Sequence, residues 1–259
     1  MAQPDRLTRQ LERRRSFECR LTRDRALKTL GDAAAFLDER GMLVRMPDCS
    51  LPSLFAACHE AVAQPGGRGF ALWPKTRWIW SFQLTLDGRA VLTKLHRGKS
   101  LYLSAEAARL FDPLVRQAMD AADGDDAMLL GHLGRHGPSM GEDVQLELGW
   151  EGRRLKSARN RLERVGAIVS DGLVFNEAGD WHFAPMRRWD AVVKTPTASD
   201  DPIGDIIVAG VRAAVIVPEA DVRSWFSWPV PRATIDRLVD DGQLVRPARG
   251  QLAIAGAER

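Results

Sequence analysis

The sequence predicts an α+β fold assembled from tandem copies of one small unit, in which helices precede a short β-hairpin. Three observations predict it. A helix-period segment closed by charged residues, then a Gly, then a short β-type run recurs at 25–45, 151–169 and 232–246. The second and third copies are each followed by another β-prone run across a turn-rich gap, the pattern of a hairpin. Two further short helices precede the middle copy. A chain of 259 residues has room for two or three such domains, and 45% hydrophobic with 27% charged residues is the balance of a folded protein.

The middle copy is the most legible. Leu155, Ala158, Leu162 and Val165 recur at the three-and-four spacing of one buried helical stripe. Gly166 then stops the helix, because a residue without Cβ takes the left-handed conformation readily. Ala167-Ile168-Val169 starts a strand, and a hairpin turning at Glu177-Ala178-Gly179-Asp180 is expected after it. Upstream, Asp126–His136 is apolar at Met128, Leu129, Leu130 and Leu133 and stops at Gly137-Pro138, and Ser139 leads into a second helix. Helix, helix, basic helix, hairpin is the winged-helix order. The third copy has the same shape, with its turn at Ala248-Arg249-Gly250, and the first (RALKTLGDAAAFLDER, then Gly41) lacks a hairpin directly after it. The expected architecture is therefore tandem winged-helix modules with short hairpin wings. It divides into a basic N-terminal segment (1–17), an N-terminal winged-helix-like domain with a basic hairpin (18–120), a central domain (121–194) and a C-terminal domain (202–259). The boundary falls in the turn-rich KTPTASDDP stretch.

Net charge is only +3, but its distribution is uneven. Residues 1–30 hold nine Lys/Arg against four acids, 71–100 six against one, and 151–164 six against two. Local field, not total charge, attracts a polyanion. With the stripe of 151–165 turned inward, Arg153, Lys156, Ser157, Asn160 and Arg164 face outward, flanked by Arg154, Arg159 and Arg161. Arg and Lys suit guanine edges and phosphates, and Asn suits adenine, so duplex DNA is the expected partner; a solvated helix face is the plainer alternative. Outward Asp236, Arg237 and Asp240 in the third copy would repel phosphate. That helix is expected to pack on a domain or a protein partner. In the first copy Arg25, Lys28, Asp32 and Glu39 share the outer face with Phe36, which suggests a covered surface. Residues 89–104 are expected to form a cation-tipped hairpin around Arg97-Gly98-Lys99, with Lys94 in its first β-prone run, that could lie along a duplex backbone. Just before it, Arg77 is interleaved with Trp78, Trp80 and Phe82. Core packing is the favoured reading of those rings, and stacking on an unpaired base is the sharper one.

The segment Leu51-Pro52-Ser53-Leu54, the Arg77–Trp80 run, Lys94-Leu95-His96-Arg97-Gly98-Lys99 before Ser104, and Arg187-Arg188-Trp189 together resemble the bacterial AlkZ-related winged-helix proteins, relatives of the AlkZ and YcaQ DNA glycosylases. The resemblance spans roughly residues 50–190. It implies several winged-helix modules and binding to duplex DNA. The glycosylase branch positions its attacking water with a Gln-x-Gln or Gln-x-Asp pair in the N-terminal region. Here Gln83-Leu84-Thr85 lacks the second partner, and Gln145-Leu146-Glu147 falls on the second helix of the central module, where a solvated face explains it better. The enzymes' C-terminal β-barrel is not expected either, since little chain follows the third module. The expectation is a non-catalytic DNA-binding protein. The alternative is a glycosylase for alkylated or cross-linked bases with a non-standard site at Gln145 and Glu147.

Other motifs point nowhere. Gly98-Lys99-Ser100 has Thr93 where a phosphate-binding loop needs Gly, and His59-Glu60 has no second His behind it. His132 and His136, four apart on one helical face, could hold a metal, but the sequence places no Cys or carboxylate to complete the shell. No metal and no cofactor are expected. Cys19, Cys49 and Cys58 read as buried free thiols. With no apolar run of about 18 residues and no secretory pattern at Met1–Arg6, the expectation is a cytoplasmic, nucleoid-associated protein.

Overall fold

The computed structural model describes residues 6–170, 174–175 and 182–256; the turn expected at 177–180 lies outside them. The chain opens with α1 (Arg6–Glu18). It continues through α2 (Leu30–Arg40), β1 (Met42–Val44), α3 (Leu54–Ala57), α4 (Trp80–Leu86), β2 (Val91–His96) and β3 (Lys99–Leu103). A 16-residue helix, α5 (Ala105–Asp120), leads to α6 (Gly124–His136), α7 (Gly141–Leu148) and α8 (Gly152–Arg164). Four short strands follow, β4 (Ile168–Ser170), β5 (Val174–Phe175), β6 (His182–Phe183) and β7 (Met186–Arg188), and then the turn α9 (Trp189–Val192). The last third holds α10 (Pro202–Ala214), β8 (Ile216–Pro218), α11 (Glu219–Val222), α12 (Arg232–Asp240), β9 (Leu244–Val245) and β10 (Gln251–Ile254). The protein is thus α+β, with small antiparallel sheets among many helices.

One order repeats along the chain: helix, strand, helix, helix, strand, strand. It is α2-β1-α3-α4-β2-β3 in the first unit and α10-β8-α11-α12-β9-β10 in the third. The last strand is central in both sheets, which run β1-β3-β2 and β8-β10-β9. In the middle unit α6, α7, α8, β4 and β7 follow the same course. Ser139 bridges Met186 of β7 where the others have a first strand, so β7 lies between Ser139 and β4. β5 and β6 pair with each other as a separate two-stranded sheet.

This order corrects the reading of the first copy. Its helix α2 opens a unit, whereas α8 and α12 are the third helices of theirs. The matching helix of the first unit is α4, and the basic hairpin β2–β3 is the missing return. The local signature misled because any helix stopped by Gly and followed by a strand looks alike. The partner that distinguishes them, β3 in register Met42↔Leu103 and Val44↔Leu101, comes about 60 residues later. The helix also starts at Leu30, not Arg25. Thr29 accepts from the Asp32 N–H while Asp32 accepts from Thr29, a reciprocal cap that sets the first turn. Phe36, expected on a covered face, is fully buried.

All three repeat glycines adopt the left-handed backbone that ends a helix: φ is 76° at Gly41, 77° at Gly166 and 69° at Gly242. Gly166 is required twice over, since a Cβ there would lie 2.9 Å from Leu95 Cδ2 and 3.0 Å from Val115 Cγ2. At the hairpin tip Arg97 (φ 51°) and Gly98 (φ 85°) form the two-residue turn that suits twisted strands.

The first and third units share one hydrophobic core, in which Met42, Leu103 and Phe111 pack with Ile207, Val211, Trp225 and Leu252. α1 is fastened across them: Arg15 donates to the carbonyls of Ser50 (2.7 Å), Ala214 (2.6 Å) and Ile216 (3.2 Å). The middle unit has its own core of Leu129, Leu133, Val144, Trp150, Leu155, Leu162 and Met186. Its chain returns to the rest through buried Asp112, which accepts from Trp189 Nε1 at 2.7 Å and the Thr197 N–H at 2.8 Å.

Candidate nucleic-acid interface

α8 displays the cations as the sequence suggests. Leu155, Ala158 and Leu162 are buried, Val165 half-buried, and Arg153, Arg154, Lys156, Ser157, Asn160, Arg161 and Arg164 exposed. The face is therefore open to solvent along its length. Its cations are not equivalent, however. Arg154 holds Asp125 at 2.6 Å and Arg161 holds Asp126 at 2.6 Å, both acids on the first turn of α6. Arg154 also lies over the Trp150 ring. Arg159, half-buried, is bound to Glu163 at 2.8 Å. Arg153, Lys156 and Arg164 have no carboxylate partner among the described residues. They stand beside Asn160 as the unneutralised part of the face.

Glu163 is the residue that sequence reasoning undervalued. It is 1% exposed, and its two oxygens accept from Arg159 (2.8 Å), Ser170 Oγ (2.9 Å) and Lys94. Burial alone would raise its pKa, but the Arg159 and Lys94 cations overcome that and hold it below the ordinary carboxylate range. An acid so held stays ionised and fully hydrogen-bonded. It serves as a tie between α8 and β2, not as a proton donor. The hairpin is further seated by Gly98, which lies against the Arg164 side chain, and by Lys99, which pairs with Asp48. Arg97 at the tip is exposed and has no carboxylate partner among the described residues.

Between the hairpin and α8 runs a cleft of about 160 Å³, lined by Arg45, Lys94, Arg159 and Ser170 among others. Arg45 was not legible in the sequence. Its Nε donates to Tyr102 Oη at 2.8 Å, and its guanidinium lies 4.9 Å from the Trp73 ring and 5.3 Å from the Phe82 ring. Aromatic faces hold the cation rigid without neutralising it. Arg77 instead donates to the Cys58 carbonyl at 2.7 Å and lies over Trp80. Trp78 and Trp80 are half-buried and pack against the first unit's core, in line with the plainer reading of those rings.

Gln145 and Glu147 turn to different partners. Residues two apart on a helix point to opposite sides. Gln145 donates to the Gly141 carbonyl at 3.1 Å, while Glu147 lies 3.4 Å from His132 Nδ1 and 3.3 Å from His136 Nε2. The carboxylate that the sequence did not place beside the histidine pair is therefore present, supplied from α7. Burial holds His132 below the ordinary imidazole pKa in spite of Glu147. On α12, Arg237 pairs with Asp201 and Asp241, and Asp236 with Arg246. Burial pushes the Cys49 thiol up to about 11 and Cys58 to about 12, so neither is a nucleophile at neutral pH. No helix among the described residues is long and apolar enough to cross a membrane.

No family model matches the chain, and no curated protein matches it in sequence. Among solved structures it is similar in fold to the DNA glycosylase AlkZ of Streptomyces sahachiroi, with a TM-score of 0.58 at 13% identity over 95% of this chain and 69% of that one.

Proposed function

We propose that the chain is a duplex DNA-binding protein built of three winged-helix units and working without catalysis of its own. In this reading α8 enters the major groove, with Arg153, Lys156, Asn160 and Arg164 reaching bases and phosphates. The hairpin β2–β3 runs along the backbone with Arg97 foremost, and Arg45 and Lys94 line the cleft behind it. The observation that carries the proposal is the outward face of α8. Three exposed cations there lack any carboxylate partner among the described residues, while neighbouring Arg154 and Arg161 are tied down. The C-terminal unit braces the first through their common core and leaves the acid-bearing face of α12 for a protein partner. The place of action is the nucleoid in the cytoplasm. The test is a gel shift over a salt series with matched intact and alkylated duplexes. Binding that weakens steeply with salt on both supports the proposal, and no binding at low salt overturns it.

A second reading is favoured by the fold likeness to a DNA glycosylase: excision of alkylated or cross-linked bases at a non-standard site. The divergent directions of Gln145 and Glu147 speak against those two sharing one water. Release of abasic sites from alkylated duplex, abolished in Glu147→Gln, would replace the first reading with this one.

A further inference from the structure

We propose that His132, His136 and Glu147 form a binding site for a zinc-like divalent transition-metal ion that ties α6 to α7. Glu147 Oε2 lies 3.4 Å from His132 Nδ1 and 3.3 Å from His136 Nε2. Ligands about 2.0–2.1 Å from a tetrahedral ion stand about 3.3–3.4 Å from one another, so both contacts to the carboxylate already have the spacing of a coordination edge. The three ligand atoms lie within 4.8 Å of one another, and His136, 47% exposed, can swing to close the remaining edge.

Three further features point to a ligand. His132 is 1% exposed, yet neither ring nitrogen has a hydrogen-bond partner among the described residues; a buried imidazole left in that state is costly. The two imidazole rings lie with centroids only 4.7 Å apart, close enough for one ion to reach a nitrogen of each. No Lys or Arg pairs with Glu147 among the described residues, so its charge is available. The contrast is the cluster of Asp48, Cys49 and His96, where Lys99 occupies Asp48 and the Trp225 carbonyl takes His96 Nδ1. Two imidazoles and one carboxylate suit zinc and its neighbours better than magnesium or calcium, which prefer oxygen alone. The half-exposed His136 and Glu147 leave water to fill the fourth position. A bound ion would clamp the Gly137–Met140 turn and hold α7 at the angle on which α8 packs.

Untagged protein is titrated with Co2+ and followed by its visible absorption, and Zn2+ content is measured after dialysis. His136→Ala and Glu147→Ala serve as variants, since both side chains are half-exposed and folding can be verified by circular dichroism. Expected are ligand-field bands of tetrahedral Co2+, one retained zinc per chain, and a loss of affinity of at least about tenfold in each variant. Absence of the bands, or unchanged zinc affinity in both folded variants, overturns the site. A rise in melting temperature with Zn2+ but not Mg2+, lost in both variants, supports it independently.

Discussion

Replacing Arg153, Lys156 and Arg164 together by Gln is expected to remove most of the salt dependence of DNA binding. Ten cations are candidates for phosphate contact: Arg77, Lys94, Arg97, Lys99, Arg153, Arg154, Lys156, Arg159, Arg161 and Arg164. Five of them, Lys94, Lys99, Arg154, Arg159 and Arg161, are held by carboxylates. Arg77 is half-buried against Trp80. That leaves Arg97 and the three on α8 exposed and unneutralised. At about 0.9 in log–log slope per phosphate contact, four contacts give a slope of about −3.6. Affinity should therefore fall about 150-fold over a fourfold rise in salt. With the three α8 cations gone the slope should drop to about −0.9, and the same salt rise should cost only about threefold. Fluorescence anisotropy with a labelled duplex at several salt concentrations measures both slopes. A wild-type slope near −9 would mean that the paired cations also release counterions. A triple variant with the wild-type slope would show that α8 does not face the backbone. Either result refutes the assignment of the interface to the unpaired face.

The Glu163→Gln variant should lose about 1–3 kcal/mol of stability in urea unfolding, because Arg159 and Lys94 lose their common partner but keep partial access to water; an unchanged midpoint would remove its role as a tie. The same carboxyl is held below its ordinary value, so its stabilisation is present above an unfolded pKa of about 4.3 and is lost as pH falls through the lower folded value. Unfolding midpoints measured across acid pH should thus fall more steeply in the wild type than in Glu163→Gln, and parallel curves would contradict this. Gly166→Ala should cost about 2–4 kcal/mol, from the left-handed backbone together with a Cβ driven against Leu95 and Val115; a loss below about 0.5 kcal/mol would mean that β2 yields freely there. Thr29→Ala should cost about 1 kcal/mol by removing the side-chain acceptor for the Asp32 N–H, again read from the urea midpoint.

Much of the local structure was legible in the residues. The apolar stripe of α8, the glycine stops at Gly41, Gly166 and Gly242, and the hairpin at Arg97-Gly98 follow from helical periodicity and from the freedom of a residue without Cβ. These effects act within a few residues, so one sequence suffices to read them. The exposure of Arg153, Lys156 and Arg164 followed from the same periodicity.

Tertiary structure decided the rest, because each remaining feature joins residues far apart in the chain. β1 and β3 pair across about 60 residues, which moved α2 from the end of a unit to its beginning. Helical periodicity could show which α8 side chains face outward, but not that Asp125 and Asp126, on another helix, neutralise two of them. Glu163 reads as a surface acid among cations, yet it is buried and pairs with Lys94 from a different unit. Arg45 gains meaning only from the rings of Trp73, Phe82 and Tyr102 around it, and the histidine pair of α6 only from Glu147 on α7. Charge and burial depend on distance in space, and a sequence specifies distance only along the chain.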